Sequence, residues 1–221
     1  MTDPLKFYTG PARVPVGRTR PLLIVDADEV LLRFAQGLDR YLHENGLYLD
    51  LTSYRLHGNI KRRDDDTAIL DIEVTALLDD FRGELDSLEA VEHAQDVLVR
   101  LGEEMDIVAL SNVTPEQAPA RLRNFVTLGF SFPLVTNSGP KGAAVKVLAQ
   151  RTKGPVFFVD DIPQHHASVA ETAPHVFRIH LIGDERLKTL LPVSPHAHLR
   201  ADSWLDAETF IRLQLDKRSC E

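Results

Sequence analysis

The sequence predicts an α/β fold: a parallel sheet flanked by helices, interrupted early by a small helical insertion. Three observations predict it. Short apolar runs without alternation recur at 22–25, 107–110 and 156–159, the pattern of strands buried on both faces. Stretches of helical periodicity separate them, which implies right-handed crossovers and a parallel order. Each run also ends abruptly in polar residues: Asp26 and Asp28, then Ser111 and Asn112, then Asp160 and Asp161.

Composition narrows the class. At 221 residues the chain is long enough for one good-sized core with a small insertion. Hydrophobic residues make up 43% and charged residues 26%, the balance of an ordinary water-soluble globular protein. The formal net charge of −8 argues against a general binder of nucleic acid or of anionic membranes. It does not oppose a small phosphorylated substrate, because local charge at a site can differ in sign from the total. No apolar run is long enough to span a membrane. Residues 1–20 are polar and carry Pro4, Pro11 and Pro15, without the apolar segment of a secretory signal. Cys220 is the only cysteine, so neither a disulfide framework nor a thiolate metal cluster is expected, and the expected compartment is the cytoplasm.

Taken in order, residues 1–20 read as an irregular arm, followed by the first strand at 22–25. After Val30 the pattern turns helical: Leu31, Phe34, Leu38, Tyr41 and Leu42 share a face, and Gly46 suits a C-cap. A short helix is expected to begin near Thr52 and Ser53. The charge block 61–66 reads as a solvated turn. A third helix is expected over 67–81, with Ile69, Ile72, Ala76 and Leu77 near one face and Gly83 at its end. Residues 32–85 thus form a helical insertion joined to the rest at two nearby points. Residues 21–31 and 86–221 form the α/β core. There Ser87 is expected to cap a helix reaching Leu101, and 106–110 to form a strand. Thr114-Pro115-Glu116-Gln117 combines a capping box with proline at the first helical position, opening a helix to about Leu128. Strands at 132–135, 156–159 and 176–181 follow, with helices opening at 138–141 and spanning 206–215. Trp204 and Phe210 read as packing residues.

In open α/β sheets, ligands bind in the crevice beyond the carboxyl ends of the strands. Asp26, Asp28, Ser111, Asp160 and Asp161 would gather on that rim, and Lys141 opens the helix that precedes the last acidic strand. Uncompensated buried charge is costly. Carboxylates, a hydroxyl and an ammonium on one rim therefore read as a site rather than a solvated face. A hard, oxygen-rich site suits Mg²⁺, which keeps several waters and shares its shell with phosphate oxygens. The insertion follows the first strand and would sit over this crevice as a cap.

At this point the chain resembles the haloacid dehalogenase (HAD) superfamily of phosphohydrolases. The resemblance rests on an apolar run plus DxDxV at 22–30, an apolar run plus Ser-Asn at 107–112, the helix-opening Lys141, and an apolar run plus Asp-Asp at 156–161. The four occur in the family's order and span nearly all of the chain after residue 20. The resemblance implies a HAD-like, Rossmann-like fold whose insertion is a helical cap of the family's first type. It further implies that Asp26 is the nucleophile and Asp28 the general acid and base, that Ser111, Asn112 and Lys141 bind the phosphoryl group, and that Lys141 also neutralises charge on the nucleophile. Metal ligation, by Mg²⁺, falls to Asp26, Asp28 (through its carbonyl), Asp160 and Asp161. The implied substrate is a small phosphorylated metabolite. The stretch DADEVLLRF is also similar to the opening of deoxyribonucleotidases, which adds a nucleotide monophosphate as a weaker candidate.

Two departures stand out. Glu29 occupies a position where the family commonly has glycine, and Lys146 competes with Lys141 for the lysine role. Lys141 is preferred because a helix N-terminus points toward the strand ends. His165 and His166 read as the first turn of a helix beside the site, and Lys61, Arg62 and Arg63 as a solvated turn paired with 64–66. A dehalogenase would not need Asp28. A phosphonatase would want a buried cap lysine, and Lys61 is the only lysine there. A receiver domain would place its lysine after the last acidic strand and would lack a cap. The alternative from another class is a catalytically silent member of the fold that binds a ligand or partner.

Overall fold

The computed structural model describes residues 6–219; Cys220 lies outside them. Nine strands alternate with eight α-helices: β1 (Phe7–Tyr8), β2 (Leu22–Val25), α1 (Phe34–Glu44), β3 (Leu47–Leu49), β4 (Ile60–Arg62), α2 (Asp71–Phe81), α3 (Ala94–Glu104), β5 (Asp106–Ser111), α4 (Ala118–Thr127), β6 (Leu134–Thr136), α5 (Gly142–Ala149), β7 (Val156–Asp160), α6 (Pro163–Thr172), β8 (Phe177–Leu181), α7 (Glu185–Lys188), β9 (Leu199–Ala201) and α8 (Trp204–Ser219). Seven strands form one sheet in the order β1-β6-β5-β2-β7-β8-β9, and every pairing in it is parallel.

The two-residue period of a strand explains why the central runs are apolar throughout. Leu23 and Val25 of β2 pack on one face with Ile107, Ala109, Phe157 and Val159, under α3 and α8. Leu22 and Ile24 pack on the other with Val108, Leu110, Val156 and Phe158, under α5 and α6. With both faces covered, no polar alternation survives. Burying each such side chain stabilises the fold by about 2 kcal/mol. β2 is flanked by β5 on one side and β7 on the other, so the order reverses there and a crevice opens beyond its carboxyl end.

The insertion differs from the all-helical expectation. No helix begins at Thr52 or Ser53; instead β3 and β4 form an antiparallel pair joined by residues 50–59. The loop is held by Asn59, whose amide donates to the Ser53 and Arg55 carbonyls at 3.0 and 2.7 Å. A buried asparagine organising a loop leaves little periodicity to read. Several helices also begin later than their capping signals suggest. α2 starts at Asp71, where Glu73 Oε2 accepts from Leu70 N. α3 starts at Ala94, and Ser87 instead bonds the Glu84 carbonyl. Gln117 Oε1 does accept from Thr114 N at 3.0 Å, but a turn intervenes before α4. The N-terminal arm is not wholly irregular: β1 pairs with β6, and Pro11–Arg13 form a 3-10 turn. β9 has no counterpart among the expected strands. Trp204 is a packing residue, fully buried, with its indole N–H donating to Val30 O at 2.8 Å. Among the described residues, no helix is long and apolar enough to cross a membrane.

Candidate active site

The chain turns sharply as it leaves β2. The N–H groups of Leu31 and Leu32 both donate to Ala27 O at 2.9 Å, while Asp26 N still bonds Val159 O of β7. Asp26 is thereby held at the rim between two strands, 7% exposed. Its Oδ1 accepts from Ala27 N at 2.7 Å and lies 2.5 Å from Lys141 Nζ. Lys141 occupies the N-cap of α5, is fully buried, and reaches Asp160 Oδ2 at 2.8 Å. Lys146 lies further along α5 and is exposed. Asp160, the last residue of β7, also accepts from Ile162 N at 2.8 Å and contacts His165 Nδ1 at 3.2 Å. Asp161 accepts a bond from the Tyr54 hydroxyl. Asp26, Asp160 and Asp161 offer carboxylate oxygens within 4.8 Å of one another.

Three buried carboxylates here face one ammonium, and their acidities reflect the imbalance. Burial pushes Asp26 up to about 6; Lys141 opposes this, and Asp160 and Asp28 add to it. Asp161 is raised well above the ordinary range by burial, then by Asp160 and Asp26. Burial also works against ionised Asp160, but Lys141 and His165 outweigh it and hold its carboxyl low. Lys141 is raised despite burial by Asp160 and Asp26, so it stays charged. The cluster is short of positive charge, and its donors are all oxygens. That donor set fits a hard divalent cation.

Two buried histidines brace the backbone beneath it. His166 Nε2 bonds Asp160 O at 2.9 Å, and His180 Nε2 bonds Asp161 O at 2.8 Å. Burial lowers both imidazoles, His180 to about 4. His180 Nδ1 accepts from Ser194 N, so Nε2 carries the proton. His165 and His166 fall in the first turn of α6, as expected.

Ser111, the last residue of β5, is 1% exposed, and its Oγ has no partner among the described residues. Asn112 is fixed by Asn137 Nδ2 at 2.7 Å, leaving its own amide on Gly139 O at 3.1 Å. The Asp28 side chain lies apart from the carboxylate cluster; the metal contact expected of this residue concerns its carbonyl oxygen. Its Oδ1 instead meets Arg121 Nη2 at 2.5 Å. Arg121 is fully buried, with Nε and Nη1 unpartnered among the described residues. Sequence reasoning misses this residue. The available signal is a basic residue at the centre of an apolar stripe, between Ala118 and Phe125 on α4.

Glu29 holds a backbone conformation that favours glycine. Its φ is +57°, in the left-handed region that side chains adopt at a cost. Its carbonyl accepts from Gly183 N, and a Cβ on Gly183 would meet that carbonyl at 2.8 Å. The side chain turns inward, 3% exposed, and Oε1 accepts from Ala35 N at the start of α1 at 2.6 Å. Burial raises its pKa to about 7, against the Ala35 bond. An acid whose folded pKa exceeds its unfolded value binds its proton more tightly when folded. Its contribution is therefore present at low pH and lost as pH rises from about 4.5 through about 7. Glu29→Gln is expected to stabilise the protein at pH 8 by up to about 3 kcal/mol, and to change little at pH 4.5. Urea unfolding at the two pH values checks this; equal effects at both would refute it.

A cavity of about 260 Å³ opens over the cluster. The core lines it with Asp26, Asp28, Glu29, Asn112, Lys141, Asp161 and His165, and the insertion lines it with Leu49, Leu51, Tyr54, Arg55 and Leu56. Lys61, Arg62 and Arg63 do not line it; Lys61 pairs with Asp50 at 2.5 Å and Arg62 with Glu73 at 2.9 Å, rather than with 64–66. A larger hollow of about 430 Å³ lies at the other end of the sheet, beside Met105 and Asp106, and holds none of these groups.

No protein-family model matches the sequence, and no curated protein does. Solved structures do match. A HAD family hydrolase from Deinococcus radiodurans with bound phosphate and sodium is 19% identical, covering 88% of this chain and 96% of its own, with a TM-score of 0.57. A Bacillus subtilis protein described as a HAD-hydrolase, bound to magnesium, is 15% identical over 88% and 99%, with a TM-score of 0.58. A defluorinating L-2-haloacid dehalogenase is 14% identical over 91% and 99%, with a TM-score of 0.60. The chain has the haloacid dehalogenase-like fold.

Proposed function

We propose that the protein is a HAD-superfamily phosphatase that hydrolyses a small phosphomonoester with the help of Mg²⁺. The observation that carries this reading is the set of three buried carboxylates with one ammonium; Ser111, at the end of the neighbouring strand β5, adds a buried hydroxyl without a partner among the described residues. A divalent cation and a phosphoryl group supply the charge and the acceptor that this arrangement lacks.

In this reading an Asp26 oxygen attacks phosphorus, the bond to the leaving oxygen breaks, and an aspartyl-phosphate forms. Asp28 delivers a proton to the departing oxygen. It then takes one from the water that attacks phosphorus, releasing phosphate and restoring Asp26. The Ser111 hydroxyl donates to a phosphoryl oxygen, and Asn112 lines its pocket. Lys141 stays charged throughout and offsets negative charge on Asp26 and the phosphoryl oxygens. Asp26, Asp160, Asp161 and the Asp28 carbonyl would hold Mg²⁺, which supplies charge stabilisation at the phosphoryl group when bound. Residues 32–85 serve as the cap over the cavity. A small phosphorylated metabolite is the substrate class, with a nucleotide monophosphate a narrower candidate, and the cytoplasm its setting.

A dehalogenase is the second reading, since one structural neighbour is described as such. Displacing halide from carbon calls for neither a cation nor Asp28, so the carboxylate surplus favours phosphoryl transfer. The test is hydrolysis of p-nitrophenyl phosphate with Mg²⁺ and with EDTA, run beside halide release from 2-haloacids. Turnover with Mg²⁺ that EDTA removes is the expected result. Halide release alone would establish the dehalogenase. Silence in both, extended to a panel of phosphorylated metabolites, would establish the silent binder.

A further inference from the structure

Arg121 is a buried cation that the proposed chemistry does not use. It stands on the apolar face of α4, between Ala118 and Phe125, and is fully buried. Its side chain has one partner among the described residues, Asp28 Oδ1, which Nη2 meets at 2.5 Å; Nε and Nη1 are buried and have none. Packing does not account for such a group. An apolar side chain of similar bulk would fill the space without the desolvation that a guanidinium with unmet N–H groups suffers. Nor does Asp28 need the guanidinium for solvation, because its side chain is 35% exposed and water reaches it. What the pair does provide is a fixed place for the carboxylate.

That place is beside the nucleophile. Asp28 and Asp26 line the same cavity, and Asp28 is near enough for its charge to push the Asp26 carboxyl up. Arg121 does not line the cavity, so it holds Asp28 from behind the wall. A guanidinium can only donate hydrogen bonds. With Oδ1 taken by Nη2, the Asp28 oxygen left to carry a proton is Oδ2, which has no partner among the described residues. Proton transfer depends steeply on such placement, since small displacements of a reacting group cost large factors in rate.

Building on the phosphatase reading, we propose that Arg121 is a positioning residue: by holding Asp28 Oδ1, it assigns Oδ2 to give and take the proton. As the bond from phosphorus to the leaving oxygen breaks, the Oδ2 proton passes to that oxygen. When water attacks the aspartyl-phosphate, Oδ2 takes a proton from the water, and the cycle closes. The two buried cations divide the work, Lys141 on the nucleophile and Arg121 on the acid and base.

The test uses phenyl and p-nitrophenyl phosphate with Mg²⁺, two esters of similar shape whose leaving oxygens differ in their need for a proton. Arg121→Met keeps most of the bulk and leaves Asp28 hydrated, so it is expected to fold as the wild type does. Its kcat/KM is expected to fall by about tenfold or more for phenyl phosphate, and far less for p-nitrophenyl phosphate. A burst of p-nitrophenol, one per enzyme, is expected before a slower steady rate, because water attack on the aspartyl-phosphate also needs Oδ2 in place. In an Asp28→Asn background the same substitution is expected to add no further loss. Equal loss for the two esters, unchanged or raised turnover, or a full further loss in Asp28→Asn would overturn the inference and leave the phosphatase reading in place. If Arg121→Met does not fold, Arg121→Lys, which keeps the charge without the planar fork, decides by the same ratio. Failure of both to fold would make Arg121 a residue of the fold and overturn the inference. If the wild type accepts only a phosphorylated metabolite, the comparison in the Asp28→Asn background is made on that substrate. If it hydrolyses nothing at all, both readings fall together.

Discussion

Asp26→Asn is expected to lower phosphomonoester hydrolysis by more than about a thousandfold, to background, because in the proposed reaction no other group replaces the attacking oxygen. The substitution keeps the shape of the side chain, so the new amide oxygen can still accept from Ala27 N as the Asp26 carboxylate does at 2.7 Å. Lys141 keeps Asp160 at 2.8 Å, and the carboxylates lose one member of a crowded set. Stability should therefore change by no more than about 1 kcal/mol. Steady-state assay and a denaturant melt on the same preparation check both halves. A folded Asp26→Asn protein that retains wild-type turnover would remove Asp26 as nucleophile.

Lys141→Met is the substitution with the largest expected effect on the fold. It keeps the bulk of a fully buried side chain but leaves Asp26 and Asp160 buried without their cation. Removing one partner of a buried ion pair costs about 3–5 kcal/mol, which for a chain of this size lowers Tm by about ten degrees. Activity should vanish as well. Mg²⁺ is expected to restore more stability to the variant than it adds to the wild type, because a cation then meets three carboxylates with no ammonium among them. Melts with and without Mg²⁺ measure this. A loss below about 1 kcal/mol would mean that the carboxylates are protonated or hydrated in place, and that Lys141 does not hold the cluster together.

Legibility differs between the sheet and the insertion for physical reasons. β2, β5 and β7 are readable because both of their faces are buried, which forces unbroken apolar runs. β1 and β9 are the edge strands, two and three residues long, and such short segments carry no period. The insertion is easily misread at 47–62 because a two-stranded hairpin organised by Asn59 has neither a long alternation nor a tight two-residue turn. Helix starts fall later than expected wherever a capping residue stands before a turn rather than a helix, as at Thr114 and Ser87.

Local patterns in the chain were enough to specify the parallel α/β architecture and the rim on which Asp26, Ser111, Lys141, Asp160 and Asp161 stand. Apolar period and strand-end polarity are short-range signals, and the topology of a parallel sheet converts them into proximity. What those residues meet emerged only from the packed molecule: Arg121 against Asp28, Tyr54 against Asp161, and the inward turn of Glu29. Those contacts join residues 93 and 107 positions apart, or depend on a left-handed turn braced by Gly183. No local pattern encodes them, because burial and charge balance are properties of the packed whole.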